Sequence, residues 1–133
     1  KRPAQKPYVF EREWQLFLSL LLIGVGRARR GELLIARQFI ASYCMNHVLG
    51  FVRLWKSPLA ETETKEDSFN RFRRFEQQYP ELGQRLGEIQ QLPVEQSAEA
   101  LLAFAIEIGA GRLTVDQAAA ARMVADRFSW NLG

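Results

Sequence analysis

The sequence predicts an all-α protein, built as an antiparallel up-and-down bundle of about five helices. Apolar residues recur at helical spacing in several segments of the 133-residue chain, and no segment alternates apolar and polar residues as a strand would. The dipeptides Asn-Gly and Asp-Gly, which favour hairpin turns, do not occur. A hydrophobic fraction of 47% is typical of a folded domain, so the chain can bury a core without disulfides.

The first helix is expected from Phe10 to Arg30, and Gly31 suits the left-handed residue that closes it. Gly24 and Gly26 weaken its last turns but would let another helix approach closely. Helical spacing gives this helix one apolar stripe. The stripe contains Trp14, Phe17, Leu18, Leu21, Leu22 and Val25.

The second helix is expected from Glu32 to Trp55, where Ser57-Pro58 stops it. One apolar stripe runs its whole length, and further apolar residues widen that stripe. The stripe contains Leu33, Ala36, Ile40, Cys44, His47, Phe51 and Leu54. A helix that is apolar nearly all round is buried on most sides. The pattern therefore indicates a central helix, an oligomer interface or contact with another domain.

Residues 57–67 are polar and acidic, which predicts a loop. Ser68 is a candidate cap for a third helix with an aromatic face, formed by Phe69, Phe72, Phe75 and Tyr79. Arg71, Arg73 and Arg74 are expected on its opposite face. Pro80 interrupts the pattern, and a short helix is expected over Glu81–Gln91.

Two more helices complete the predicted bundle. Pro93 opens the fourth, and Gly109 with Gly111 ends it. Thr114 and Gln117 have the spacing of a capping box, so a fifth helix is expected to run from there to about Phe128.

The chain has few residues that bind metals or act as nucleophiles. Cys44 is its one cysteine and His47 its one histidine, which leaves little for a transition-metal site. They share a face of the second helix, and without a third orienting group we interpret them as a buried thiol beside a hydrogen-bonded histidine. The three aspartates are scattered along the chain, so a two-metal centre is not expected. We assign no catalytic and no metal-binding residue.

The apolar run Leu16–Ile23 is only eight residues long, too short to span a bilayer. Charged residues lie directly before it, unlike the flank of a signal-peptide core. We therefore expect a cytoplasmic protein without membrane contact.

The net charge of +3 is unevenly distributed. Residues 1–56 carry 10 basic and 3 acidic side chains, whereas residues 57–133 carry 8 and 12. Such asymmetry can mark a face for a phosphate-bearing ligand, yet Arg27, Arg29 and Arg30 also complement the dipole at the end of the first helix. No helix-turn-helix, zinc-finger or RNP-like pattern occurs, so nucleic acid is not the expected partner.

The order of elements resembles a known family. A Leu-rich helix bearing Trp14 leads into Arg30-Gly31-Glu32, followed by the long helix LLIARQFIASYCMNHVLGFVRLW and the aromatic-basic segment SFNRFRRFEQQYP. Over most of residues 10–110 this resembles the C-terminal helical domain of antibiotic nucleotidyltransferases, most closely the lincosamide nucleotidyltransferases. The resemblance implies transfer of adenylyl from ATP, with Mg²⁺, to a hydroxyl of a lincosamide.

In that family the metal-binding carboxylates lie on an N-terminal domain in a Gly-Ser…Asp-x-Asp pattern, which this sequence lacks. Residues 1–9 then correspond to a linker from that missing domain, and residues 10–133 to a helical domain that binds the antibiotic and forms a homodimer. ATP and Mg²⁺ would belong to the full-length enzyme, and this chain is expected to be inactive alone. Candidate acceptor-site residues are Arg30, Glu32, Arg37, Tyr43 and His47.

Two alternatives remain open. The chain could be a stand-alone helical partner subunit of a nucleotidyltransferase, or a HEPN-like interaction module. HEPN ribonucleases carry an Arg-x(4–6)-His motif, but the nearest arginine that precedes His47 is Arg37, ten positions before it. A HEPN ribonuclease activity is therefore not expected.

Overall fold

A computed structural model describes residues 7–59 and 70–132 of the chain. The described residues contain no strand, and all their regular elements are helical. These are α1 (Phe10–Arg29), α2 (Leu33–Arg37), a π-helical segment (Gln38–Cys44), α3 (Met45–Trp55), α4 (Phe75–Gln78), α5 (Pro80–Gln90), α6 (Val94–Ile108) and α7 (Val115–Arg127). Because α2, the π-helical segment and α3 follow one another without a break, they form one long helix. The all-α prediction is confirmed.

The turn between α1 and α2 has the predicted form. Gly31 adopts a left-handed φ of 83°. Its N–H donates to Ala28 O at 3.0 Å, and the N–H of Glu32 donates to Arg27 O at 3.0 Å. This pair of bonds is a Schellman motif, which satisfies the last carbonyls of α1 and reverses the chain.

The two longest helices run antiparallel and in close contact. Glu13 near the start of α1 lies beside His47 in α3, whereas Gly24 near its end lies beside the π-helical segment. A Cβ at Gly24 would lie 2.8 Å from Ile40 Cδ1 and 3.0 Å from Phe39 Cβ. The expected close approach of a second helix is therefore confirmed, and Gly24 permits it.

The predicted second helix departs from ideal α geometry in its middle. Residues Gln38–Cys44 are π-helical, although the flanking caps, Arg37 and Met45, have ordinary right-handed helical φ and ψ. Segments of this kind are uncommon and often lie near functional sites. The sequence pattern gave no sign of it, since apolar periodicity continues through the segment.

The prediction of a third helix from Ser68 to Tyr79 is wrong for most of the residues in this range that the structure describes. Residues 71–74 form turns, and Arg74 adopts a left-handed φ of 59°, which confines the helix to the single turn of α4. The side chain of Asn70 accepts a bond from the N–H of Phe72 at 3.1 Å, a local contact that competes with helix formation. Phe75 and Tyr79 are buried as expected, whereas Phe72 is exposed. The proposed Ser68 cap, Phe69 and most of the 57–67 loop lie outside the described residues.

The remaining helices agree with the sequence predictions. Pro80 occupies the first turn of α5, and α6 follows Pro93. Thr114 and Gln117 form the capping box of α7: the N–H of Gln117 donates to Thr114 Oγ1 at 3.0 Å, and the N–H of Thr114 donates to Gln117 Oε1 at 2.9 Å.

The core lies between α1, α3 and α6, with α7 packed against the start of α1. At its centre the rings of Trp14, Phe17 and Phe51 lie with centroids 5.4–5.7 Å apart. Trp14 Nε1 donates to Gln117 O at 3.1 Å, so the buried indole is satisfied and α1 is tied to α7. This rigid centre fixes where the first turns of α1 and α3 present their polar residues.

Candidate functional site

Four ionisable side chains meet beside the first turns of α1 and α3. Tyr8 precedes α1, Glu13 lies in its first turns, His47 lies in the first turn of α3, and Arg71 lies in the turns before α4. We call them the His47 cluster. The side chains of Glu13, His47 and Arg71 are 17%, 13% and 25% exposed, so the cluster is largely buried but reaches the surface.

Glu13 is the centre of the cluster. Its Oε1 lies 2.9 Å from His47 Nδ1 and 3.2 Å from Arg71 Nη1. Arg71 Nη1 also lies 3.3 Å from Asn46 O, and its guanidinium lies 5.5 Å from the centre of the Tyr8 ring. One carboxylate therefore holds both a cation and an imidazole in place.

Gly50 provides the space for this arrangement. A Cβ at Gly50 would lie 3.0 Å from Arg71 Nη1 and 3.3 Å from the Tyr8 hydroxyl. Any larger residue there would have to displace the guanidinium or the phenol. The glycine is thus part of the structure of the His47 cluster.

The imidazole of His47 is held in its neutral form. Burial lowers its pKa and outweighs the opposing effect of Glu13, while Arg71 lowers the pKa further. The carboxylate of Glu13 accepts the Nδ1–H, which leaves Nε2 as an acceptor. Nε2 has no hydrogen-bond partner among the described residues. A neutral imidazole oriented in this way can accept a hydrogen bond, or a proton, from a hydroxyl group.

Tyr8 stays protonated over the physiological range. Burial, with a smaller contribution from Glu13, raises the pKa of Tyr8 to about 12, and Arg71 opposes this effect. The phenol therefore contributes an O–H rather than a charge to the cluster.

The Arg-Gly-Glu turn forms a second polar group at the opposite end of α1. Glu32 Oε1 accepts from Arg27 Nη1 at 2.9 Å, and Glu32 Oε2 accepts from Arg30 Nε at 3.1 Å. These arginines hold the pKa of Glu32 below its usual value. The turn is exposed, and its charges are already paired with each other.

Arg29 links this end of α1 to the end of α7. Its guanidinium makes a bidentate contact with Glu95, at 2.9 and 2.7 Å, and donates to Phe128 O at 2.9 Å. Trp130 Nε1 donates to the same carboxylate at 3.1 Å. These contacts fix the ends of α1, α6 and α7 to one another.

The five candidate residues predicted from the sequence do not form one site. Arg30 and Glu32 pair in the turn, whereas His47 lies beside Glu13, about 24 Å away along α1 at 1.5 Å per residue. Arg37 donates to Gln90 O at 3.0 Å and Leu92 O at 2.9 Å, so it satisfies carbonyls at the end of α5.

Tyr43 lies one helical turn before His47 and is 41% exposed. Its ring packs edge-on against Phe39, with centroids 5.4 Å apart. Tyr43 and His47 thus follow each other along one side of the long helix. His47 is itself part of the His47 cluster, and Tyr43 is the nearest of the other four candidates along the chain.

Cys44 faces the core and not the His47 cluster. It is fully buried, and burial raises the pKa of its thiol far above the usual value. The thiol is therefore protonated and unreactive. The interpretation of Cys44 as a buried thiol is confirmed. Among residues 7–59 and 70–132, no three His, Cys, Asp or Glu side chains are placed to hold a metal ion.

Sequence reasoning identified His47 but missed Tyr8, Glu13 and Arg71. Glu13 is an acidic residue on the edge of the apolar stripe of α1, a position that only the packing of α3 turns inward. Arg71 was expected on a solvent-facing helix surface that does not form. No spacing rule connects residues separated by 34 and 58 positions.

Comparison with protein-family models, curated proteins and solved structures finds no match to this chain. In the part of the chain that the structure describes, no helix combines the length and the apolar character needed to cross a membrane.

Proposed function

We propose that this chain is the helical acceptor-binding domain of a lincosamide-type antibiotic nucleotidyltransferase. In this proposal a separate N-terminal domain holds ATP and Mg²⁺ and transfers the adenylyl group. The helical domain positions the acceptor hydroxyl and has no activity alone. The proposal rests on the Arg-Gly-Glu turn and the order of helices, and it is supported by the geometry of the His47 cluster.

The main structural support for this proposal is the 2.9 Å contact between His47 Nδ1 and Glu13, which leaves His47 Nε2 as a hydrogen-bond acceptor. Orientation of a reacting hydroxyl can lower a barrier by several kcal/mol, on the order of the gain from making a reaction intramolecular. A neutral, oriented imidazole at the surface is suited to that task. The Tyr8 phenol beside it adds a donor for a second polar group of the acceptor.

The structure favours some candidate residues over others within this proposal. His47 and Tyr43 lie on one side of the long helix and can contact a single ligand, whereas Arg37 is engaged in holding the end of α5. Arg30 and Glu32 form a closed pair with Arg27 at the far end of α1. We therefore centre the proposed acceptor site on His47 and Tyr43.

The test uses the one histidine of the chain as a spectroscopic reporter. Lincomycin is titrated into the protein, and the imidazole Cε1–H and Cδ2–H signals are followed by NMR. A saturable shift that is lost in Tyr43→Ala supports the proposal, provided that Arg122→Ala, an exposed substitution on α7, retains it. The absence of any saturable shift at millimolar lincomycin would refute acceptor binding by this domain.

A second candidate function, a helical partner subunit or HEPN-like interaction module, is favoured by exposed apolar residues. Leu34 is 92% exposed and Leu33 57% exposed, and the two lie next to each other at the start of α2. Adjacent apolar residues that are exposed to this degree are typical of an interaction surface. In this second proposal the long helix is an oligomer interface, and the homodimer contact lies at these exposed residues.

Light scattering, which measures the molar mass in solution, tests whether the chain forms this homodimer. A dimer that becomes monomeric in Leu34→Glu, with the circular dichroism spectrum unchanged, would support homodimerisation through this surface. A wild-type monomer at high micromolar concentration would contradict it.

A further inference from the structure

A small cavity lies between α3, α4 and α5, on a part of the molecule separate from the His47 cluster. Its volume is about 160 Å³. Buried apolar side chains line its inner side: Met45, Leu49, Phe75 and Leu86. An apolar cavity of about 150 Å³ is large enough to hold a benzene ring, so a single ring fits this one.

The outer side of the cavity carries hydrogen-bond acceptors. Glu76 is exposed there, and its carboxylate has no hydrogen-bond or ion-pair partner among the described residues. Gln90 uses its amide nitrogen to donate to Ala41 O at 3.2 Å, which leaves its side-chain oxygen to accept. Phe72, an exposed aromatic ring, completes the rim.

Gly87 lines the cavity on α5. A Cβ at this position would meet no atom within 4 Å. A glycine inside a helix costs about 1 kcal/mol relative to alanine. Here no packing contact requires the glycine, so the open space on α5 is available to a ligand.

From this combination we propose that the cavity binds a small organic ammonium ion with a ring-sized apolar body. The apolar lining takes the ring, and the Glu76 carboxylate pairs with the ammonium group. The Gln90 oxygen accepts from the same group, and the exposed face of Phe72 favours a cation. An anionic ligand would meet an unpaired carboxylate. This inference does not depend on the proposed nucleotidyltransferase function.

The test uses the two methionines of the chain. Met45 lines the cavity, whereas Met123 on α7 is 72% exposed and far along the chain from it. Selective ¹³C-methyl labelling gives one signal for each residue, and Met123→Leu assigns them. Benzylammonium and its neutral analogue benzyl alcohol are titrated separately.

We expect benzylammonium to shift the Met45 signal saturably and to leave Met123 unchanged. A hydrogen-bonded charge should make benzylammonium bind about fivefold tighter than benzyl alcohol. Glu76→Gln should abolish this preference, while Glu88→Gln, which removes an exposed carboxylate of α5 that does not line the cavity, should retain it. Gly87→Leu should weaken binding of both compounds by about tenfold, since its side chain would fill the space.

Three results would each overturn the inference. They are the lack of a saturable Met45 shift, equal shifts at both methionines, and an ammonium preference that survives Glu76→Gln. Because Glu76→Gln changes only an exposed carboxylate, it tests the charge pairing even if Gly87→Leu does not fold. Loss of lincomycin binding at His47 would leave this result unaffected, so the two proposals fail separately.

Discussion

Replacement of Glu13 by glutamine tests whether the His47 cluster is a charged unit. Glutamine keeps the shape of the side chain and an oxygen that can accept from His47 Nδ1, now 2.9 Å from Glu13 Oε1. It removes the negative charge that faces Arg71 at 3.2 Å. Arg71 would then be left with Asn46 O and the Tyr8 ring as its remaining contacts in the cluster.

The size of the effect follows from how far the pair is buried. Exposed ion pairs contribute about 0–1 kcal/mol, whereas loss of one partner of a fully buried pair costs about 3–5 kcal/mol. Glu13 and Arg71 are 17% and 25% exposed, between these limits. We therefore expect Glu13→Gln to lower the free energy of unfolding by about 2 kcal/mol.

Urea denaturation followed by tryptophan fluorescence measures this loss. The midpoint should fall while the dependence on urea concentration stays constant, since the surface exposed on unfolding is unchanged. Glu88→Gln, an exposed carboxylate on α5, serves as the matched control and should change stability by less than about 0.5 kcal/mol. The pKa of His47 should also fall, because Glu13 raises it. A Glu13→Gln protein as stable as the control would refute the reasoning.

Further substitutions test other parts of the structure. Arg37→Met should lower the free energy of unfolding, measured by urea denaturation, by about 2 kcal/mol, because two carbonyls lose a charged donor. The control Arg122→Met should change it very little. Equal stability of the two variants would contradict a structural role for Arg37. Gly87→Ala should raise stability by about 0.5–1 kcal/mol, whereas Gly24→Ala should lower it by about 1 kcal/mol through the contact with the π-helical segment. The folded state lowers the pKa of His47, so the unfolded chain binds more protons just below the unfolded value of about 6.5. The free energy of unfolding should therefore decrease from pH 7 to 5.5, and the decrease should be smaller in His47→Gln. An identical pH dependence in the wild-type protein and the variant would show that His47 does not cause the decrease.

Much of the fold could be predicted because its signals are local. The Gly31 turn depends on one residue that tolerates positive φ, and the α7 start depends on the spacing of Thr114 and Gln117. The apolar stripe of α6 depends only on helical periodicity. Its six residues are all buried: Val94, Ala98, Leu101, Leu102, Ala105 and Ile108. Each of these signals is contained in a few consecutive residues, so the rest of the protein does not alter it.

The π-helical segment has a different origin. Its sequence, QFIASYC, has nothing that excludes an α-helix. Ile40 and Phe39 in this segment contact α1 at Gly24, where the two backbones come close. The local widening of the helix therefore lies where two segments that are distant in sequence pack against each other. The helical periodicity of one segment contains no information about this contact, so it cannot predict the π-helical geometry.

The third predicted helix fails in the segment that supplies Arg71 to the His47 cluster. Arg71 lies four residues before the buried Phe75, so a regular helix through residues 70–79 would place the two side chains next to each other on one face. The left-handed conformation of Arg74 breaks that helix, and a non-glycine residue in this conformation costs about 1 kcal/mol. On either side of this break, Arg71 pairs with Glu13 and Phe75 lies in the core. The ion pair in the cluster can offset the strain, so the segment where the sequence prediction is wrong is the one that completes the candidate site.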